Sequence, residues 1–198
     1  MITSDETIEI QRGIPTSERH IAAEIYYHAF RAKLTPIIGG SEMAMIMLAN
    51  GFEADLGLTA FVGGHVVGIA GVHHQQRQFV RWRFADLAQH FGFLSASWRY
   101  GIASLFTRSP KSGELVMDGI AVTSAMRGRG IGTRLLEAVV AFGQAHHYDT
   151  VRLDVVNTNP DARRLYERFG FVPTVTHCYP FMRPFGFTSL TTMIKSIG

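Results

Sequence analysis

The sequence contains one cysteine, Cys178, among its 198 residues. A single cysteine forms no intramolecular disulfide, so the fold depends on its hydrophobic core, and a reducing, cytosolic setting is expected. No uninterrupted apolar run approaches the roughly 18–20 residues that cross a bilayer. Residues 1–6 are polar and acidic, and they lack the basic and apolar regions of a signal peptide. We therefore expect a cytoplasmic protein with no membrane partner.

A strong excess of one charge is also missing. The 19 basic and 16 acidic side chains leave a formal net charge of +3. This charge modestly favours an anionic ligand, but it is too small and too scattered to predict nucleic-acid binding. Spacings typical of zinc ligands are absent, and the neighbouring His73 and His74 point to opposite faces of a predicted strand. We therefore predict neither a nucleic-acid partner nor a metal.

Internal repeats, low-complexity segments and a composition break are missing as well. The length and the hydrophobic content of 46% fit one domain with a substantial core, so we predict a single domain over residues 1–198. Apolar patterning, together with the turn pair Gly63-Gly64, predicts strands at 7–11, 58–62, 65–72, 114–122, 151–156, 172–178 and 188–195. Helical periodicity predicts helices at 17–33, which Pro36 ends, at 41–51, which starts at Ser41, and at 130–147.

The most informative stretch is residues 118–136, where an apolar strand leads through a basic glycine turn into a helix. Glycines at alternate positions over residues 128–132 remove Cβ atoms, so the chain can turn with positive φ and a ligand can approach the backbone. The helix that follows begins with unpaired N–H groups and the positive end of its dipole. Arg127, Arg129 and Arg134 add positive charge. The stretch therefore predicts a pyrophosphate site.

Two familiar pyrophosphate motifs do not fit this turn. A P-loop requires lysine and then serine or threonine after its last glycine, whereas Gly130 is followed by Ile131, Gly132 and Thr133. A dinucleotide fingerprint that starts at Gly128 requires glycine where Thr133 stands. A simple strand-to-helix turn would account for one or two of the glycines, but not for three with interleaved arginines.

A second motif covers residues 159–171 and predicts a short amphipathic helix. Asn159 suits the N-cap, Pro160 suits the first helical position, and Gly170 suits a left-handed C-terminal stop. The residues of its apolar face follow the spacing i, i+3, i+4, i+7: Ala162, Leu165, Tyr166 and Phe169.

Together the two motifs resemble those of the GNAT acyltransferase superfamily. Residues 127–132 match Arg-x-x-Gly-x-Gly, and residues 159–171 match Asn-x-x-Ala-x-x-Leu-Tyr-x-x-x-Gly-Phe. The resemblance runs from about residue 113 to residue 172 and implies an α/β fold, with a mixed, mostly antiparallel sheet of about seven strands flanked by helices. Residues 75–112 depart from the pattern as an aromatic and basic helical insertion between the third and fourth strands. That insertion predicts a cover over the acceptor site or a homodimer surface, ahead of contact with a membrane surface.

The resemblance also implies acetyl-coenzyme A as cosubstrate. Backbone amides and arginines of the glycine turn would hold its pyrophosphate, and its pantetheine arm would pair with the fourth strand. Gly119 suits a bulge that parts the fourth and fifth strands. The residues that match the family's acyl-carrier site are Ile120, Ala121, Val122, Arg127, Gly128, Arg129, Gly130, Ile131, Gly132, Thr133 and Asn159.

Two residues are candidates for catalysis. Tyr166 matches the family's general acid, which protonates the leaving thiolate, although a tyrosine on an apolar helix face also serves packing alone. Asp118 is the leading candidate for the base, since it lies two residues before Ile120 on the same strand face. Some members of the family place the acidic residue at the position of Val116 instead, so other groups stay open. These are Glu114, Glu24, His28 and His73.

These matches predict transfer of an acetyl group to a primary amine, by direct attack in a ternary complex. The aromatic insertion favours a small-molecule amine in a covered pocket over a peptide. A protein N-terminal or lysine acetyltransferase and a non-catalytic regulatory module that binds coenzyme A are the alternatives. A nucleophilic Cys178 assisted by His177 is disfavoured, because neighbours in a strand face opposite ways.

Overall fold

The computed structural model describes residues 7–40, 42–106 and 110–198. The predicted helix start at Ser41 lies outside the described residues, as do residues 1–6.

Within the described residues the chain forms seven strands and seven α-helices. The strands are β1 Glu9–Arg12, β2 Gly57–Val62, β3 His65–His73, β4 Glu114–Val122, β5 Thr150–Val156, β6 Val172–Cys178 and β7 Ser189–Ser196. The helices are α1 Arg19–Ala29, α2 Arg31–Ile38, α3 Glu42–Gly51, α4 Phe84–Phe91, α5 Phe93–Phe106, α6 Ile131–Ala145 and α7 Pro160–Arg168. Short 3-10 turns cover Thr16–Glu18, Ala54–Leu56, Ser124–Met126 and Pro180–Phe185. None of the described helices combines the length and apolar character needed to cross a membrane.

All seven strands join one sheet in the order β1-β2-β3-β4-β5-β7-β6. Neighbouring strands are antiparallel except β4 and β5, which run parallel. The turn between β2 and β3 places Gly63 and Gly64 at φ of 58° and 79°, the left-handed values that a two-residue hairpin of type I′ requires. The predicted mixed, mostly antiparallel sheet flanked by helices is confirmed.

The predicted helix over residues 17–33 differs from the structure at its end. The chain breaks at Phe30, with φ −110° and ψ 21°, and Pro36 lies inside α2 instead of ending a helix. Proline removes one helical hydrogen bond. At the end of α2, Arg99 of α5 donates from Nη1 to the carbonyls of Pro36 and Ile37, at 3.2 and 3.0 Å. This long-range contact supplies donors that the local sequence does not reveal.

The insertion between β3 and β4 forms the two helices α4 and α5, which pack against each other. The guanidinium group of Arg99 also lies over the ring of Phe91, 4.0 Å from its centroid. α5 contacts α2 as well, so the insertion is joined to the element that follows α1. Phe93 and Leu94 at the start of α5 are largely exposed.

The parallel neighbours β4 and β5 stay together at one end alone. Residues 114–116 of β4 pair with residues 150–152 of β5. Past that point β4 continues against β3 and β5 continues against β7. α6 packs on β2 to β5, and α1 packs on β3 and β4, so both strands are fixed where they separate. The sheet therefore opens into a wedge in its middle.

Candidate functional site

A cleft of about 660 Å³ occupies the wedge between β4 and β5. Ile120 and Val122 of β4 line one side, and residues 154–156 of β5 line the other. The glycine turn closes one end of the cleft, and α7 contributes Tyr166 to its wall. The two sequence motifs, which are separated by more than a complete strand, therefore meet at one cavity.

The glycine turn exposes backbone to this cleft. Gly128 and Gly130 have φ of 78° and 80°, and an added Cβ at either position would meet nothing within 4 Å. Both glycines are therefore required by backbone conformation and not by crowding. Gly130 is the N-cap of α6, where no side chain caps the helix, so the first N–H groups of α6 stay available to an anion.

The third glycine has a different role. A Cβ at Gly132 would lie 3.0 Å from Cδ2 of Leu165 on α7. Gly132 therefore leaves room for the side chain of Leu165, the α7 residue that precedes Tyr166. Ile131 and Thr133 also line the cleft.

The arginines of the turn divide into two groups. Arg127 lines the cleft, and its Nε donates to the carbonyl of Val122 at 3.3 Å. The side chain of Arg129 is exposed and lies outside the set of described residues that line the cleft. The side chain of Ala121 is buried, and it too lies outside that set, so its place at the site is through the backbone of β4.

Asn159 lines the cleft and also caps α7. Its Oδ1 accepts a hydrogen bond from the backbone N–H of Ala162 at 3.1 Å. The capping interaction fixes the first turn of the helix that carries Tyr166. Asn159 therefore orders the wall of the cleft that it also lines.

Tyr166 is almost completely buried, at 5% exposure, and its ring meets Phe171 edge to face. Burial raises the pKa of Tyr166 above its ordinary value. The phenol therefore stays protonated throughout the neutral range. Tyr166 lines the cleft with its ring packed on Phe171.

Asp118 lies on a β-bulge. Gly119 pairs with Gly71 of β3, but Met117 pairs with Val72, so Asp118 is the extra residue on β4. Gly119 has φ of 150°, and the ring of Phe30 occupies the space that a side chain there would need. Because of the bulge, the side chain of Asp118 does not follow the alternation of faces that a regular strand has, and the ring of Phe30 packs beside it at Gly119.

The carboxylate of Asp118 has one engaged and one unengaged oxygen. Its Oδ1 lies 2.6 Å from Nε2 of His73, which is 7% exposed. Its Oδ2 is buried and has no hydrogen-bond partner among the described residues. A buried carboxylate oxygen without a partner is rare and calls for a ligand or water that completes it.

A small chamber of about 70 Å³ is lined by Asp118, which does not line the cleft itself. Phe30 and Lys33 line both cavities, so they form the partition between them. Tyr26 also lines the chamber. Burial raises the pKa of Tyr26, and the charges of Asp118 and Tyr166 raise it further.

Three residues of this region were not among the site residues that the sequence predicted: Tyr26, Lys33 and Asp154. Burial lowers the pKa of Lys33, while the negative charges of Asp118 and Asp154 oppose that change. Asp154 lines the cleft and accepts a hydrogen bond from Oγ1 of Thr192 at 2.6 Å. An aspartate between the apolar residues Leu153 and Val155 was the available signal for Asp154. Tyr26 and Lys33 carried none, because they come to the site through the fold of α1 and α2.

The other candidate bases lie in different surroundings. Glu114 is 5% exposed and pairs with Arg152 at 3.1 Å, across the closed end of β4 and β5. Glu24 and His28 are exposed on α1 and lie 3.9 Å apart. His73 is therefore the one member of this group that touches Asp118.

The alternative nucleophile lies elsewhere as well. Cys178 is exposed at the end of β6, the outermost strand of the sheet. No group of three or more histidine, cysteine, aspartate or glutamate side chains within the described residues is arranged to hold a metal ion.

The wedge, the glycine turn and the α7 motif define a recognised class of protein. The model of the Acetyltransferase (GNAT) family matches residues 23–171 of the chain. Because the match covers most of the sequence, the chain belongs to the GNAT family of acetyltransferases.

Individual relatives match shorter stretches. The chain is 46% identical over 59 residues to N-alpha-acetyltransferase 40 of Saccharomyces cerevisiae, which is 26% of this chain and 21% of that protein. It is 27% identical over 73 residues to spermine/spermidine N(1)-acetyltransferase of Bacillus subtilis, which is 36% of this chain and 48% of that protein. The chain thus spans about a fifth and about half of the lengths of these curated relatives.

Solved structures show the same fold over nearly the whole chain. The structure of yncA from Salmonella typhimurium with its cofactor acetyl-CoA has a TM-score of 0.64, with 18% identity, and the match covers 96% of this chain and 94% of that one. At this identity the likeness defines the fold.

Proposed function

We propose that this chain, acting as one domain, transfers an acetyl group from acetyl-coenzyme A to the primary amine of a small molecule, by direct attack in a ternary complex. The observation that carries the proposal is the buried Oδ2 of Asp118, which lacks a partner among the described residues and lies at a chamber beside the cleft. An ammonium group is the natural partner for such an oxygen.

The cleft fits the acyl carrier in shape and in chemistry. The left-handed turn at Gly128 and Gly130 and the uncapped start of α6 supply N–H groups for a pyrophosphate. The open edge of β4 beyond Val116 has main-chain groups that can pair with the amides of an extended arm. The related fold solved with acetyl-CoA supports this assignment.

Asp118 is proposed as the base. An amine is protonated at neutral pH and becomes a nucleophile once a proton leaves it. Asp118 would accept that proton on Oδ2, while His73 holds Oδ1 and fixes the carboxylate. The amine nitrogen can then form its new bond to the acetyl carbon, whose activation is supplied by the bound thioester.

Tyr166 is proposed as the acid. The sulfur that leaves the acetyl carbon takes up negative charge, and the protonated phenol of Tyr166 lines the same cleft. It would donate its proton to that sulfur. The nitrogen loses its second proton as the amide forms, and that proton replaces the one that Tyr166 gave to the sulfur. Asp118 releases the first proton to solvent, so one proton is released in each turnover.

A small acceptor fits a chamber of about 70 Å³ better than a peptide does. Lys33, Trp82 and Ala103 help to close it, and two of these three side chains belong to the insertion or its approach. The relative named spermine/spermidine N(1)-acetyltransferase supports a small amine. The relative named N-alpha-acetyltransferase 40 supports a protein N-terminus as the second candidate. The single cysteine supports a reducing, cytoplasmic location.

The proposal is tested by thiol release from acetyl-coenzyme A in the presence of small amines, amino acids, polyamines and peptides. We expect release with small amines and a mass gain of one acetyl group on the acceptor. Release with peptides alone would move the assignment to a protein acetyltransferase. Coenzyme A binding without release on any acceptor would favour the regulatory module.

A further inference from the structure

Three cavities lie in series across the molecule. The cleft and the chamber share Phe30 and Lys33. The chamber in turn shares Gln78, Trp82 and Ala103 with a third cavity of about 350 Å³, here called the vestibule. Asp118 therefore lies between an acyl-carrier cleft on one side and a larger cavity on the other.

We propose that the acceptor reaches Asp118 through the vestibule, and that it is an amine whose far end carries a carboxylate instead of a second ammonium group. This inference rests on the proposed function and names its substrate class. The amine end would occupy the chamber, and the anionic end would remain in the vestibule.

The charged side chains of the vestibule favour an anion. Arg77 donates to both carboxylate oxygens of Asp55, at 2.8 and 2.7 Å, and to Oε2 of Glu53 at 2.8 Å. The remaining oxygen of Glu53 lies 3.3 Å from Nη1 of Arg81. Glu53 and Asp55 are therefore both paired with guanidinium groups, so their negative charge is largely compensated and attracts a second ammonium group only weakly.

Arg81 has donors to spare. It lines the vestibule, its side chain is 54% exposed, and its one ion pair among the described residues uses a single nitrogen. A guanidinium group carries five N–H donors in a fork that matches a carboxylate. An incoming carboxylate would thus meet an oriented donor group without breaking an existing pair.

The body of the acceptor has apolar surroundings. Trp82 lines both the chamber and the vestibule, and Tyr100 of α5 lines the vestibule. The inner chamber ends at Asp118 and His73, which suits an ammonium group. A guanidinium group, an aromatic wall and a carboxylate therefore follow one another from the vestibule to the chamber. This order matches the carboxylate, the carbon chain and the amine of an ω-amino acid.

The test compares three acceptors of equal length: pentylamine, diaminopentane and ω-aminopentanoate, with the heptyl series as a second length. We expect kcat/KM to be about tenfold higher for the amino acid than for the monoamine, since one charge-assisted contact is worth that much, and lowest for the diamine. Arg81→Gln should raise KM for the amino acid to that of the monoamine and leave kcat unchanged. The matched control is Arg83→Gln, because Arg83 is exposed and lies outside the vestibule lining.

Preference for the diamine, or a preference for the amino acid that survives Arg81→Gln, would overturn the inference. Turnover of the monoamine without any preference would overturn it too, while leaving the proposed function intact. Absence of thiol release with every amine at both lengths would contradict the proposed function itself, and the inference would fall with it.

Discussion

His73 holds Asp118 by one oxygen: Nε2 lies 2.6 Å from Oδ1, and the other oxygen is buried without a partner among the described residues. The bulge at Asp118 and the glycine after it make this arrangement possible, because a regular strand would direct the side chain differently. The pair thus leaves one buried carboxylate oxygen without a partner among the described residues, on a side chain that lines the chamber.

Replacing Asp118 should slow turnover at neutral pH. The replacement should have little effect on turnover at high pH. Asp118→Asn keeps the size of the side chain but removes its basicity, so kcat should fall by about a hundredfold. The loss should shrink as the pH approaches about 10, where the amine gives up its proton to solvent. The measurement is thiol release across pH. Glu24→Gln, which changes an exposed carboxylate of α1, is the control and should behave as wild type. A pH-independent loss would contradict the role as base.

Replacing Tyr166 by phenylalanine should lower kcat by about a hundredfold and leave coenzyme A affinity unchanged, since the ring still packs on Phe171. Because burial raises the pKa of Tyr166, ionisation of this phenol should not limit the rate on the alkaline side below about pH 10. Stopped-flow thiol release and calorimetry provide the two values. Wild-type turnover in Tyr166→Phe would show that the ring serves packing alone.

The glycine turn is tested by comparing two glycines that both have open space around them. Gly130 has φ of 80°, whereas Gly101 lies inside α5, and a Cβ at either would meet nothing within 4 Å. Gly130→Ala should weaken coenzyme A binding by about tenfold, because the left-handed conformation costs about 1–3 kcal/mol in other residues. Gly130→Val should abolish the binding.

Gly101→Ala is the control and should bind coenzyme A normally, with a small gain in stability from the better helix former. Calorimetric titration gives both affinities. Equal affinities for the two alanine variants would contradict the anion site at the turn.

Glu114 should prove structural. Glu114→Gln leaves the guanidinium of Arg152 buried with reduced compensation, and two of its nitrogens already lack a partner among the described residues. The free energy of unfolding should fall by about 3–5 kcal/mol. Urea unfolding measures this change, and combining Glu114→Leu with Arg152→Met should recover much of it. Unchanged stability together with lost activity would instead return Glu114 to the list of candidate bases.

Stability should fall on mild acidification because of His74. Its Nδ1 lies 2.9 Å from the hydroxyl of Tyr148, and its ring centroid lies 4.5 Å from that of His146. Burial, and then the charge of His146, lower the pKa of His74 below its ordinary value of 6.5. The unfolded chain therefore binds a proton first, so the free energy of unfolding decreases as the pH falls below about 6.5 and stops decreasing below the lowered pKa.

Urea unfolding at about pH 7 and about pH 5 measures that decrease. His74→Gln should reduce it, whereas the exposed His28→Gln should not. An identical decrease in wild type and His74→Gln would assign the acid sensitivity to other groups.

The sequence predicts the local parts of this molecule well and the long-range parts poorly. Asn159, Pro160 and Gly170 mark the limits of α7 because caps and stops depend on neighbouring residues. The position of Pro36 predicted a helix end that the structure does not have. The donor to the carbonyl of Pro36, near the end of α2, is Arg99, which lies 63 residues further along the chain.

The same distinction holds at the site. The glycine turn and Tyr166 belong to contiguous motifs, so their positions follow from the sequence. Tyr26 reaches the chamber through the packing of α1 on β3 and β4, and Lys33 through the packing of α2 on α5, which no local pattern encodes. The bulge at Asp118 depends on the register of β3 against β4, and that register depends on partners distant in the chain.

The central claim is that Asp118 receives the acceptor amine while the acyl carrier lies in the wedge. A crystal structure with a bisubstrate analogue, in which an amine is joined covalently to the sulfur of coenzyme A, tests it most directly. The account predicts a pyrophosphate against the N–H groups of residues 128–133 and an amine nitrogen about 3 Å from Oδ2 of Asp118. An analogue that leaves Asp118 untouched, or a nucleotide bound outside the wedge, would contradict the account.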